Sequence, residues 1–168
     1  MQWILDEPSS AAVLYDVKQA KGDKKALQKL IDEVIGNVVN EHYFSYLFDK
    51  QGNKVKYSAK PQNYGMKSSG AQVLYYFDFM LSKPQLLQDN EFTLSTYDPT
   101  YYVSMYYDQP FHSAVDFSQL PENCHGEVLE PDVNEKLKAY ASSLDQSQRN
   151  EDDTLGAQFA QKVRLICR

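Results

Sequence analysis

At His42 the spacing of apolar residues changes from helical to alternating, and this switch restricts the fold class more than any other feature of the chain. Before it, Leu27, Leu30, Ile31, Val34, Ile35, Val38 and Val39 recur at the three-, four- and seven-residue intervals that line one face of a helix. Asp23 stands where the cap of that helix belongs. Further upstream, Asp6-Glu7-Pro8-Ser9-Ser10 combines a capping acid with a first-turn proline. It predicts a shorter helix through about Val17, ending before Lys21-Gly22. Met1 to Leu5 reads as part of a strand, with neither the charged start nor the apolar run of a secretory leader.

After His42 the residues read as strands. Tyr43 to Phe48 predicts one, residues 49–54 a hairpin loop, and Val55 with Tyr57 its return. Another strand falls around 63–67, turning at Ser68-Ser69-Gly70 into the β-prone run 71–80. Lys83-Pro84 breaks that run. Phe92 to Tyr97 and Tyr101 to Tyr107 predict two strands flanking the turn Asp98-Pro99-Thr100. Phe117 suggests an edge strand and 126–129 a short one. A helix then starts at Pro131-Asp132 with a narrow stripe of Val133, Leu137, Tyr140 and Leu144. Residues 145–153 read as a solvated loop, 155–160 as a short helix and 163–167 as the last strand. Helices, then many strands, then helix and strand give an α+β class: a mainly antiparallel sheet with two N-terminal helices and a C-terminal helix packed on it, in a single domain over 1–168.

Charge narrows the partners. With 17 basic against 23 acidic residues the net charge is −6, which argues against nucleic acid or an anionic membrane as the main partner. No apolar run approaches the ~20 residues that span a bilayer. The 13 tyrosines are the compositional excess, and many fall on predicted strands: Tyr75-Tyr76, Tyr97, Tyr101-Tyr102 and Tyr106-Tyr107. Side chains alternate along a strand, so these tyrosines occupy both faces. One face is core; the other either covers a half-exposed sheet or forms a platform for sugars or a partner. No nucleophile elbow, phosphate loop or dinucleotide fingerprint is present, and the chain is expected to be non-enzymatic.

His42 lies four residues after Val38 and extends the apolar stripe, as a core or helix-end histidine on one reading and as a metal ligand at the mouth of the sheet on another. His112, with Asp108 and Asp116, and His125, beside Cys124, lie in loop-rich sequence without the paired spacing of a zinc motif. Cys124 and Cys167 are either two buried thiols or one disulfide tethering the C-terminal segment. The even count and the terminal position favour the disulfide.

Several strings together resemble one bacterial family, the family of unknown function numbered 1007. They are Trp3-x-x-Asp6-x-x-Ser9-Ser10, His42-Tyr43-Phe44, Tyr97-Asp98-Pro99-Thr100-Tyr101-Tyr102, Phe159-Ala160-x-x-Val163, and Cys124 with the terminal Cys167. The resemblance covers nearly the whole chain and is most specific at the Asp-Pro-Thr-Tyr-Tyr turn. It implies a periplasmic protein, made with a cleaved signal peptide and encoded beside an integral-membrane permease of the nickel/cobalt type, that serves zinc or related divalent-cation transport. Such a compartment implies the Cys124–Cys167 disulfide. Carried over by position, His42 and Asp98 offer groups suited to zinc, as does Asp6, which doubles as a helix cap. The family's His-Pro-His segment before the tryptophan does not occur in this sequence. Tyr97, Tyr101 and Tyr102 are the expected partner-binding residues. The alternative is a protein-interaction or carbohydrate-binding module that uses the same tyrosines.

Overall fold

Each N-terminal helix begins where its capping acid stands. In the computed structural model, which describes residues 1–100, 102–143 and 155–168, strand β1 (Gln2–Ile4) leads into helix α1 (Glu7–Gln19). Asp6 Oδ1 accepts the Ser9 N–H at 2.8 Å, and Asp23 Oδ1 accepts the Lys25 N–H at 2.8 Å at the start of α2 (Lys24–Asn40). Ser10 is fully buried. Its hydroxyl donates to Leu5 O and accepts the Val73 N–H, so it joins α1 to the strands beneath.

The chain comprises two compact units: residues 1–43 with 56–83, and residues 44–55 with 84–168. In the first unit, β5 (Gln72–Asp78) lies between β1 and β4 (Gln62–Ser69), all antiparallel, with Trp3 opposite Tyr75 and Tyr75 opposite Met66. Ile31, Ile35 and Val38 of α2 are buried with Tyr43 and Phe77. Phe77 meets Trp3 edge-on at 5.0 Å, and the Tyr43 ring stacks on Phe79 at 4.9 Å.

His42 does not extend the α2 stripe. It is exposed, and Tyr43 enters the core instead. The chain leaves α2 through three consecutive residues in the left-handed region, His42 (φ 53°), Tyr43 (φ 59°) and Phe44 (φ 47°). This turns the histidine off the apolar face and delays the next strand to β2 (Ser45–Asp49). Such a conformation is uncommon for non-glycine residues and holds only where its surroundings enforce it. Here the buried Tyr43 hydroxyl donates to Ser58 O at 3.1 Å.

The second unit is a five-stranded antiparallel sheet in the order β3 (Lys54–Val55), β2, β6 (Glu91–Thr96), β8 (Lys162–Cys167), β7 (Cys124–Leu129). Leu47, Leu94, Val163 and Val128 fall in one cross-strand row, an apolar face built by alternation. Cys124 and Cys167 sit opposite each other in the β7–β8 ladder and form a disulfide. Phe117 belongs to no strand; its ring lies over Gly126, where a Cβ would come within 2.2 Å of it.

Two further expectations shift. Residues 102–107 form no strand, because β6 is already paired on both sides, by β2 and β8, and the Val103 and Tyr107 N–H groups go to the side chains of Asp98 and Gln161. The C-terminal helix α4 covers Glu135–Ser143, with Asn134 Oδ1 accepting the Leu137 N–H at 2.9 Å, so the cap is Asn134 and not Asp132. A one-turn helix, α3 (Phe111–Ala114), was not expected, and α5 covers Leu155–Phe159. Leu144 and the expected loop 145–153 lie outside the described residues.

Candidate functional site: an aromatic loop on the second unit

Past Thr96, Tyr97 still donates its N–H to Phe44 O at 2.9 Å, and its ring stacks on Tyr46 at 4.4 Å. The chain then curls around the side chain of Asp98, which is 7% exposed. Asp98 Oδ1 accepts the Thr100 N–H (2.9 Å) and the Thr100 hydroxyl (2.8 Å), and Oδ2 accepts the Val103 N–H (3.1 Å). A side chain that binds its own following backbone in this way competes with strand pairing and wins locally. Gly156 of α5 lies against this turn, and a Cβ there would stand 1.9 Å from Asp98 O. No larger residue fits unless the loop or the helix moves. Gly156→Ala is therefore expected to destabilise the second unit by about 1–3 kcal/mol, read as a lower denaturant midpoint at constant slope.

The far end of the loop is clamped as well. Tyr107 donates its N–H to Gln161 Oε1, and its hydroxyl pairs with Thr96 Oγ1 at 3.0 Å. Burial pushes the Tyr107 phenol above its usual pKa range. Gln161 Nε2 donates to Glu130 Oε2 at 3.0 Å, and Gln109 Nε2 donates to Glu130 Oε1 at 3.2 Å. Between these anchors Tyr102 is 76% exposed, Tyr106 71% and Val103 48%. The cavity beneath, about 20 Å³ and lined by Asp98, Met105 and Phe159 among others, has room for about one water. The loop thus presents apolar and phenolic surface outward on a backbone tied down at both ends. That arrangement suits recognition, because rigid aromatic anchors lose little freedom on docking.

Residues 1–167 match the family described as a protein of unknown function (DUF1007). The chain belongs to that family. An uncharacterized protein of Haemophilus influenzae is 60% identical over 167 residues, which span 99% of this chain and 80% of the relative. No solved structure matches the chain.

In this DUF1007 protein the residues singled out from the sequence have separate surroundings. Asp6 caps α1, and its hydrogen bonds from Ser9 hold the carboxyl below its usual range. His42 is exposed in its left-handed turn, also in the first unit, whereas Asp98 shapes the loop of the second. Among the described residues, no three His, Cys, Asp or Glu side chains form a group that could hold a metal ion. His112 and His125 are both exposed. Of the three expected partner-binding tyrosines, Tyr97 is half-buried in its stack on Tyr46, Tyr102 is exposed, and Tyr101 lies outside the described residues. Sequence reasoning placed Tyr106 among the strand tyrosines that could face a partner, and missed Val103, Gly156 and the Gln161–Glu130 clamp as parts of the site.

Proposed function

We propose that this DUF1007 protein is a non-enzymatic periplasmic accessory protein that docks, through Tyr102, Val103 and Tyr106, onto an integral-membrane permease for zinc or a related divalent cation. The observation that carries the docking is the doubly anchored loop with both tyrosines more than two-thirds exposed. The Cys124–Cys167 disulfide supports an oxidising, extracytoplasmic compartment. Among the described residues no helix is long and apolar enough to cross a membrane. The permease and its divalent cation come from the family resemblance. In this reading the cation is cargo of the pair. Asp98 and Asp6 serve as structural carboxylates, which leaves the exposed His42 as the member of the three expected ligands open to zinc.

Co-purification with the co-expressed permease tests the contact. The double variant Tyr102→Ser/Tyr106→Ser is expected to reduce permease recovery at least about tenfold, the loss of one to two anchoring side chains, with an unchanged thermal midpoint. Recovery equal to that of the unaltered protein would remove the loop from the interface. Zinc titration of the unaltered protein beside His42→Ala tests the cargo claim separately: a saturable signal weakened by the substitution supports it, and no signal sinks it.

A further inference from the structure

Along β6, Glu91, Thr93 and Ser95 share one face of the five-stranded sheet because successive side chains alternate, and Tyr97, just past the strand, joins them. They line a groove of about 390 Å³, within the size range of small-molecule sites. Phe48 and the 49–52 turn wall it on the β2 side, and Lys162 on the β8 side, with Ala157 of α5 completing the lining.

The acidic groups in and around the groove are already engaged. Asp49 Oδ1 accepts the N–H groups of Gln51 (3.0 Å) and Asn53 (2.8 Å), and Oδ2 accepts Asn53 Nδ2–H (3.0 Å). Arg164 Nε stands 3.4 Å from Glu91 and 3.1 Å from Glu127, an ion-paired triad across three strands. The cations are less committed. Lys54 lies over the Tyr46 ring at 4.6 Å. Lys50 and Lys162 are exposed, and neither has an ion-pair partner among the described residues. Four cations therefore stand in and around this groove against three carboxylates, on a chain whose net charge is −6. Electrostatically it is an island of the opposite sign.

We propose that this groove binds a small organic anion with charged groups at both ends, a dicarboxylate or a diphosphate. Lys162 pairs in register with Ser95, and Lys50 follows Asp49, which pairs with Phe92. Lys50 therefore falls level with Glu91, so their attachment points are four β6 residues apart, about 13 Å along the strand, and on opposite sides of it. Two long ammonium side chains so placed reach the two ends of one elongated solute, whose polar body lies over the Thr93 and Ser95 hydroxyls. A single small anion reaches only one of them. This site does not depend on the docking loop.

Titration calorimetry of the full chain at about 0.15 M salt, where long-range attraction is screened, tests the site with citrate, pyrophosphate and acetate. Saturable binding of citrate or pyrophosphate, with acetate at least tenfold weaker, is expected, and the preferred probe identifies the class as carboxylate or phosphate. Lys162→Gln and Lys50→Gln, both at exposed positions, are each expected to weaken that binding about tenfold, the loss of one charge-assisted contact. Acetate binding as tightly as the two longer anions, affinity unchanged in both lysine variants, or no saturable binding of either longer anion would each overturn the proposal.

Discussion

Reduction of the Cys124–Cys167 disulfide is expected to destabilise the second unit by about 4 kcal/mol, lowering its thermal midpoint by roughly 16–32 °C. The closed loop spans 43 residues, and the loop-closure entropy that the crosslink removes from the unfolded chain scales with the logarithm of that length. The folded ladder survives the cut. Cys167 still donates its N–H to Asn90 O at 3.0 Å, and Arg168 donates its own to Asn123 O at 2.9 Å. The loss therefore arises in the unfolded state, and a Cys124→Ala/Cys167→Ala double variant should match the reduced protein in midpoint. Thermal unfolding with and without reductant, with thiol alkylation followed by mass, measures both. An unchanged midpoint after complete reduction would show that the pairing contributes nothing to the second unit. The effect also bears on the compartment. A crosslink of that strength at the last strand operates only where thiols stay oxidised.

Much of the fold was legible wherever a residue's role was decided by near neighbours. Asp6 and Asp23 announce α1 and α2 because a cap reaches only two or three residues along the chain. The stripe from Leu27 to Val39 announces a buried helix face, and Ile31, Ile35 and Val38 are its buried members. The run 71–80 became the central strand of the first unit, with Val73, Tyr75 and Phe77 inward. Alternation says which residues share a face, but it does not say which strands pair. The division into a three-stranded and a five-stranded sheet was therefore not readable from the sequence.

The failures have different causes. At His42 the apolar interval continued, but three left-handed residues rotated the chain, and no local signal marks that conformation at His, Tyr or Phe. At 102–107 high β-propensity lost to the Asp98 carboxylate, which takes two backbone N–H groups of the stretch that follows. The aromatic density of the candidate site was visible, and Tyr102 was named from it. The clamp was not visible, since Tyr107 and Gln161 are 54 residues apart and a glutamine carries no spacing signature. The anion groove was hidden for the same reason: Lys50 and Lys162 become neighbours of one strand only through the β2–β6–β8 order.

Replacing Phe77 by alanine is expected to destabilise the first unit by about 3–5 kcal/mol. The ring is 0% exposed and touches aromatic partners on several sides, Trp3 at 5.0 Å, Tyr43 at 5.8 Å and Phe79 at 6.2 Å. Its strand cannot move in to fill the space. β5 is held by β1 on one side and β4 on the other, and the Phe77 N–H is bonded to Met1 O at 3.1 Å. A cavity therefore remains, and the lost dispersion contacts add to the lost transfer energy. Phe79→Ala, at a partly buried position of the same cluster, should lose less. Trp3 is the chain's single tryptophan and packs edge-on against the deleted ring, so its fluorescence reports this unit in a denaturant titration. A loss below that of Phe79→Ala would place the centre of the first unit's core elsewhere. The left-handed turn at His42 would then lose its packing rationale too, since Tyr43, whose ring stacks on both Phe77 and Phe79, is the residue that turn delivers inward.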